Sequence, residues 1–134
     1  MIKKTIKFTD FNGTEVEEDY YFHLSTPEQT RIYAKLGSQN VKEAIEAMVK
    51  RNNFSEMLAF FEDIVLTAYG QKTLDGRSFT KNPEETKLFE YSPAYAELFE
   101  ELMTDADKLV KFAEGVNAVS KSNAQISKFQ PKSE

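Results

Sequence analysis

Polar and apolar residues alternate near the start of the chain, in two runs that a short polar segment separates. The runs are Ile2 to Thr9 and Thr14 to His23, and both are rich in Ile, Thr, Phe, Tyr and Val. The segment between them ends in Asn12-Gly13, a dipeptide typical of tight turns between antiparallel strands. The pattern predicts an N-terminal antiparallel β-hairpin over residues 1–23.

The register of this hairpin can be predicted from its side chains. A three-residue loop, Phe11 to Gly13, with Gly13 in the left-handed conformation, sets Phe8 opposite Val16. A two-residue loop would set Phe8 opposite Glu17 instead. Because a slip of one residue turns every apolar side chain to the other face of the strand, we predict the three-residue loop.

After the hairpin, apolar residues recur every three or four positions, which predicts about five to six short helices over residues 26–116. The longest stripe predicts a core helix that buries Phe54, Leu58, Phe61, Ile64 and Val65. This helix is predicted to end near Gly70, and the polar segment 71–81 is predicted to be a turn-rich connection. Capping residues or prolines suited to a first helical turn mark the other helix starts, at Ser25-Thr26-Pro27, Asn40, Pro83, Ser92-Pro93 and Asp105.

The chain is predicted to form a single globular domain over residues 1–117, of the α+β class and mostly helical, with the hairpin packed on the helices. It contains eleven Phe and six Tyr, and 40% of its residues are hydrophobic, which is enough for one core. Residues 118–134 are rich in Ser, Lys, Gln and Asn and show no apolar period. We predict that they form a disordered C-terminal arm.

Charge and composition exclude several classes of function. Residues 1–116 carry 14 basic and 21 acidic side chains, a net charge of −7, and an acidic body disfavours contact with nucleic-acid phosphates. The sequence has no Cys, which excludes disulfides and thiolate chemistry. No apolar run is long enough for a signal peptide or a membrane span, so we expect a cytoplasmic protein that binds neither membranes nor nucleic acid.

No catalytic or metal site is predicted. His23 is the only histidine and lies at the end of a predicted strand, where a structural side chain is a better interpretation than a catalytic base. The acidic clusters at 15–19, 62–63 and 97–101 lack the spacing of a calcium loop and are better explained as solvent-exposed faces. We therefore predict a protein that binds other proteins, has no cofactor and is not an enzyme.

Three stretches of sequence, taken in order, resemble a known family. They are Met1 to Gly13, Ala68 to Lys72 followed by Asp75 to Phe79, and Tyr95 to Phe99 followed by Thr104 to Asp107. Together they are similar to tail assembly chaperones encoded by long-tailed phages and prophages of Gram-positive bacteria. The resemblance spans about residues 1 to 116 and carries over no catalytic or ligand residue.

The resemblance implies a protein made in the cytoplasm of the infected bacterial host, where it keeps the tape-measure protein soluble and aids assembly of the tail tube. The expected partners are the phage tape-measure and tail-tube proteins, with self-association left open. Two alternatives also remain open. The chain could be a virion structural protein, such as a tail or head–tail connector component, or a phage-encoded inhibitor of a host protein.

The C-terminal arm supplies the predicted contact residues. Its three Lys give it a charge opposite to that of the body, and Ile126 and Phe129 are its largest apolar side chains. A segment of this kind can fold when it binds. We predict that Ile126, Phe129, Lys121 and Lys128 contact the partner.

Overall fold

Ten secondary-structure elements follow one another in residues 1–117, the part of the chain that the computed structural model describes. An N-terminal hairpin is followed by three helices, a second and shorter hairpin, and three more helices. This confirms the predicted α+β, mostly helical class, while the predicted arm, residues 118–134, lies outside the described residues. The elements are β1 (Ile2–Thr9), β2 (Glu15–Phe22), α1 (Thr26–Leu36), α2 (Val41–Lys50), α3 (Phe54–Ala68), β3 (Tyr69–Lys72), β4 (Phe79–Thr80), α4 (Pro83–Glu90), α5 (Pro93–Met103) and α6 (Ala106–Val116).

The N-terminal hairpin has the predicted register. Phe8 pairs with Val16 across the two antiparallel strands. The backbone N–H of Asp10 donates to the Thr14 carbonyl oxygen at 2.8 Å, which closes a three-residue loop. Gly13 has a φ of +83°, the left-handed conformation that the loop requires. The three-residue loop is therefore confirmed.

A second hairpin lies where a turn-rich connection was predicted over residues 71–81. Strand β3 extends the sheet, whose order is β1-β2-β3-β4, because Tyr69 and Gly70 pair with the end of β2. Gly70 lies inside this strand, and helix α3 already ends at Ala68. A Cβ at Gly70 would lie 2.6 Å from the Thr80 carbonyl oxygen, so the close approach of β4 requires glycine there.

Each of the six helices in residues 1–117 begins with a side chain that accepts a hydrogen bond from the first turn. Ser25 does so in a complete capping box, in which the Glu28 carboxylate also accepts from the Ser25 backbone N–H. The other capping side chains are Asn40, Asn53, Asn82, Ser92 and Asp105. These local signals fix where the helices start and therefore which faces they turn inward.

One hydrophobic core joins the first hairpin to the helices. Phe61, Ile64 and Val65 of α3 are fully buried, as predicted. Aromatic rings extend the core across the sheet: Phe22 packs edge-on against Phe112, with ring centroids 5.2 Å apart, and Tyr69 stacks on Phe89 at 4.4 Å. Such pairs stabilise beyond the area they bury.

The prediction was wrong for Phe54 and Leu58. Phe54 is 57% exposed, and Leu58 is half-buried instead of being among the most buried residues. Phe54 is the first residue of α3, so its periodic position falls at the margin of the core. Phe60, outside the predicted stripe, is buried instead. The buried face of α3 is therefore displaced toward its C-terminal half.

Candidate interaction surface

Four apolar side chains lie together where the turn between α2 and α3 meets the end of α5. Val49 is 48% exposed and Phe54 57% exposed, and both line a cavity of about 270 Å³ with Met57 and Met103. We call these four residues the apolar patch. Clustered exposed apolar side chains mark contact surfaces, and methionine adapts its shape to different partners.

The tight turn between α2 and α3 creates this patch. Asn52 takes a positive φ of 55°, and the Asn53 side chain accepts from the Glu56 backbone N–H at 3.1 Å to cap α3. Helix α3 therefore begins only a few residues after α2 ends, which places Val49 near the first residue of α3, Phe54. Both side chains are largely exposed there.

A groove of about 570 Å³ adjoins the patch, and helices α1, α2 and α3 form it. We call it the α1–α2–α3 groove. Arg51 at its rim precedes Asn52, which lines the cavity of the patch, so the groove and the patch meet at this turn. The apolar lining of the groove consists of Ile32, Leu36, Ala44, Ala47, Met48, Ala59 and Phe60. Small alanines between larger side chains leave room for an amphipathic segment.

The rim of the groove is charged, and most of its charged side chains form ion pairs. Lys35 Nζ lies 3.2 Å from Asp63 Oδ2, and Arg51 pairs with Glu56. Glu43, on the α2 side of the rim, has no ion pair within residues 1–117. The groove therefore combines an apolar floor with charged edges of both signs.

Lys81 joins helix α1, helix α3 and the residue that follows β2. Its Nζ donates to Glu28 Oε1 at 2.6 Å, to the His23 carbonyl oxygen at 2.8 Å and to the Thr67 carbonyl oxygen at 2.6 Å. Burial raises the pKa of Glu28, but the hydrogen bonds from Lys81 and Ser25 outweigh it, so the pKa lies below its ordinary value. The network is structural, because the Lys81 ammonium group is the common donor to all three acceptors.

His23 has the environment of a packed structural side chain. Its ring lies edge-on to Phe79, with centroids 5.6 Å apart, and its Nδ1 atom is buried without a hydrogen-bond partner in the described part of the chain. Burial lowers the pKa of His23, and the positive charges of the N-terminal amine and Lys81 lower it further. The lowered pKa favours the neutral form of the imidazole.

The acidic clusters make contacts within the protein. Glu101 of α5 pairs with Lys4 of β1 at 2.7 Å, and Glu17 pairs with Lys7 at 3.7 Å. Within residues 1–117, no group of three or more His, Cys, Asp or Glu side chains is placed to hold a metal ion. No helix in that range is long and apolar enough to cross a membrane.

Little of this surface could be predicted from the sequence. The predicted contact residues Lys121, Ile126, Lys128 and Phe129 lie outside the described residues. Val49 was missed because the apolar period gives no sign of its exposure. It lies four residues after Ile45 and eight after Val41, positions that the helical period assigns to the buried face.

A comparison with known families decides what kind of protein carries this surface. The family model described as phage tail assembly chaperone matches residues 1–125. The chain belongs to this family. No curated protein and no solved structure matches it. Membership of this family implies that the chaperone interacts with tail proteins.

Proposed function

We propose that this tail assembly chaperone binds the tape-measure protein of its phage, keeps it soluble and aids assembly of the tail tube around it. The observation that carries the proposal is the family match over residues 1–125. The chain acts by binding and not by catalysis, in the cytoplasm of the infected bacterium. Tail-tube proteins are its second class of partner.

The apolar patch is the proposed contact surface within the described residues. Exposed Val49 and Phe54 offer large side chains that a partner can cover, and Met57 and Met103 form an adaptable floor beneath them. A few large side chains that a partner covers supply most of the binding free energy at protein interfaces. Lys121, Ile126, Lys128 and Phe129 are proposed as further contacts from the C-terminal arm.

Binding is proposed to need neither metal nor nucleotide. The surface that supports the proposal is apolar, and association then follows from burying apolar area. Addition of a chelator should leave the complex intact. A complex that dissociates on chelation would instead point to a metal held jointly by the two proteins.

Co-expression tests the proposed function. The tape-measure protein from the same genome is produced with the chaperone, with the Val49→Ser/Phe54→Ser variant, or alone, and its soluble yield is measured. The intact chaperone should raise the yield, and the patch variant should raise it less. An unchanged yield would contradict the proposal.

Two further measurements separate the alternatives. The chaperone should be absent from purified virions, whereas a virion structural protein would remain in them. A pull-down from infected cells should recover the tape-measure protein. Recovery of a host protein alone would favour an inhibitor of the host.

A further inference from the structure

One row of side chains on α2 carries opposite charges on either side of a small residue. Glu43, Ala47 and Arg51 follow one another at intervals of four residues, so they lie in line along the helix, with Arg51 at its C-terminal end. All three line the α1–α2–α3 groove. Glu43 and Arg51 are exposed, and Ala47 is half-buried between them.

This row is complementary to an antiparallel copy of itself. Because Glu43 and Arg51 each lie four residues from Ala47, a two-fold axis at Ala47 sets the acid of one copy opposite the base of the other. In a two-fold interface every such contact occurs twice. Each charge lies only about 6 Å along the helix from the axis, so both pairs form at one crossing of the two helices.

The side chains of this row are available for contacts between copies. Within residues 1–117, the Glu43 carboxylate forms no ion pair. Arg51 pairs with Glu56 of its own chain, and these two side chains are 54% and 47% exposed. A guanidinium group has five N–H donors, so Arg51 can bind a second carboxylate and keep the first.

Small side chains allow two helices to approach closely at this place. Ala44 and Ala47 line the groove from α2, and Ala59 lines it from α3 and is exposed. The distance between packed helices depends on the side chains at the contact, and alanine permits the shortest distances. The groove of about 570 Å³ can therefore receive α2 of a second copy.

The charges of α3 disfavour the same arrangement about that helix. A two-fold axis at Ala59 would set Glu56 opposite Glu62 of the other copy, because each lies three residues from Ala59. Both glutamates are exposed. Like charges that face each other across an interface weaken it. Helix α2 is therefore the better helix to lie on the axis.

We propose that two copies of this chaperone bind each other at their α1–α2–α3 grooves, with the α2 helices antiparallel and Ala47 on the two-fold axis. Glu43 of each copy then contacts Arg51 of the other, and the alanines lie at the centre of the contact. This inference does not depend on which tail protein the chaperone binds.

A single cysteine on the axis tests this arrangement in the full chain, because the sequence has no Cys to interfere. Helices about 8 to 10 Å apart bring facing Cα atoms within the span of a disulfide, so Ala47→Cys should cross-link two copies. Ala96→Cys, at an exposed position of α5 outside the groove, is the control. At about 0.1 mM protein, Ala47→Cys should cross-link about tenfold faster, because the dimer holds its thiols at an effective concentration of about millimolar.

Exchange of the two charges tests the contact itself. Sedimentation velocity of the intact chain should show a dimer that increases with concentration. Glu43→Arg alone and Arg51→Glu alone each set like charges opposite each other, so each should lower the association constant about tenfold or more. The double variant Glu43→Arg/Arg51→Glu should restore it. Within one chain the two positions lie about 12 Å apart along α2, too far for the restored pairs to form there.

Circular dichroism and urea unfolding establish that each variant is folded. Three results would overturn the proposal. They are an intact chain that stays monomeric up to about millimolar concentration, equal rates of cross-linking for Ala47→Cys and Ala96→Cys, and a double variant that associates no better than the single ones.

Discussion

Lys81 Nζ lies 2.6 Å from Glu28 Oε1, and this contact joins the second hairpin to the cap of α1. Glu28 also accepts a hydrogen bond from the Ser25 backbone N–H at 2.9 Å, so one carboxylate serves both the capping box and the lysine. The two side chains are 27% and 24% exposed, which leaves them partly screened by solvent. The pair links residues 53 positions apart in the sequence.

Replacement of this lysine should destabilise the protein. Lys81→Met leaves the Glu28 carboxylate and two backbone carbonyl oxygens without their donor, so we expect a loss of about 2 kcal/mol in the free energy of unfolding. Urea unfolding at pH 7 measures it, and Lys87→Met, at an exposed position in α4, is the control. A loss equal to that of the control would show that the network contributes little.

The same pair predicts a dependence on pH. The folded pKa of Glu28 lies below its ordinary value of 4.5, so its contribution is complete above pH 4.5 and is lost as the pH falls through the folded pKa. The difference in stability between the intact protein and Lys81→Met should therefore shrink under acid conditions. A difference that stays constant down to the lowest pH at which both proteins fold would contradict the assignment.

The lowered pKa of His23 predicts a second effect of pH, in a pH range above that for Glu28. Its folded pKa lies below its ordinary value of 6.5, so the unfolded chain takes up the proton first as the pH falls below 6.5. Stability should decline through this range and level off once the folded imidazole is also protonated. In His23→Gln the decline should be smaller, and identical pH profiles for the two proteins would contradict the assignment.

Two phenylalanines of one helix test the position of the core. Phe61→Ala should cost about 3 to 5 kcal/mol in the free energy of unfolding, because a fully buried ring is removed. Phe54→Ala should cost less than about 1 kcal/mol, because that ring is 57% exposed. Chemical unfolding of both variants under the same conditions gives the comparison. Equal losses would mean that the core is misplaced along α3.

The parts of the fold that depend on residues close together along the chain could be predicted from the sequence. The hairpin register followed from the choice between Val16 and Glu17 opposite Phe8. Helix starts followed from capping side chains such as Ser25 and Asn40, whose hydrogen bonds reach only to the next turn. These signals are local, and tertiary contacts did not override them.

Features that depend on distant contacts could not be predicted. Strand β3 has four residues and β4 has two, too few to show an alternating pattern. Strand β3 forms because β2 offers an edge to pair with, and β4 in turn pairs with β3. The role of Lys81 rests largely on two backbone carbonyl oxygens, which leave no signal in the sequence. The exposure of Phe54 depends on where the covering helices end, which the apolar period of α3 does not reveal.

Direct binding to the tape-measure protein tests the central claim most directly. The dissociation constant is measured by titration calorimetry for the intact chain and for the patch variant Val49→Ser/Phe54→Ser. Leu88→Ser is the matched control, because Leu88 is a 72% exposed apolar residue on α4, outside the patch. Circular dichroism and urea unfolding establish that all three proteins are folded.

We expect the intact chain and the Leu88→Ser control to bind with the same dissociation constant, and the patch variant to bind about tenfold or more weakly. Equal weakening by the patch variant and the control would place the contact elsewhere on the surface. The absence of any binding by the intact chain would contradict the proposed function itself.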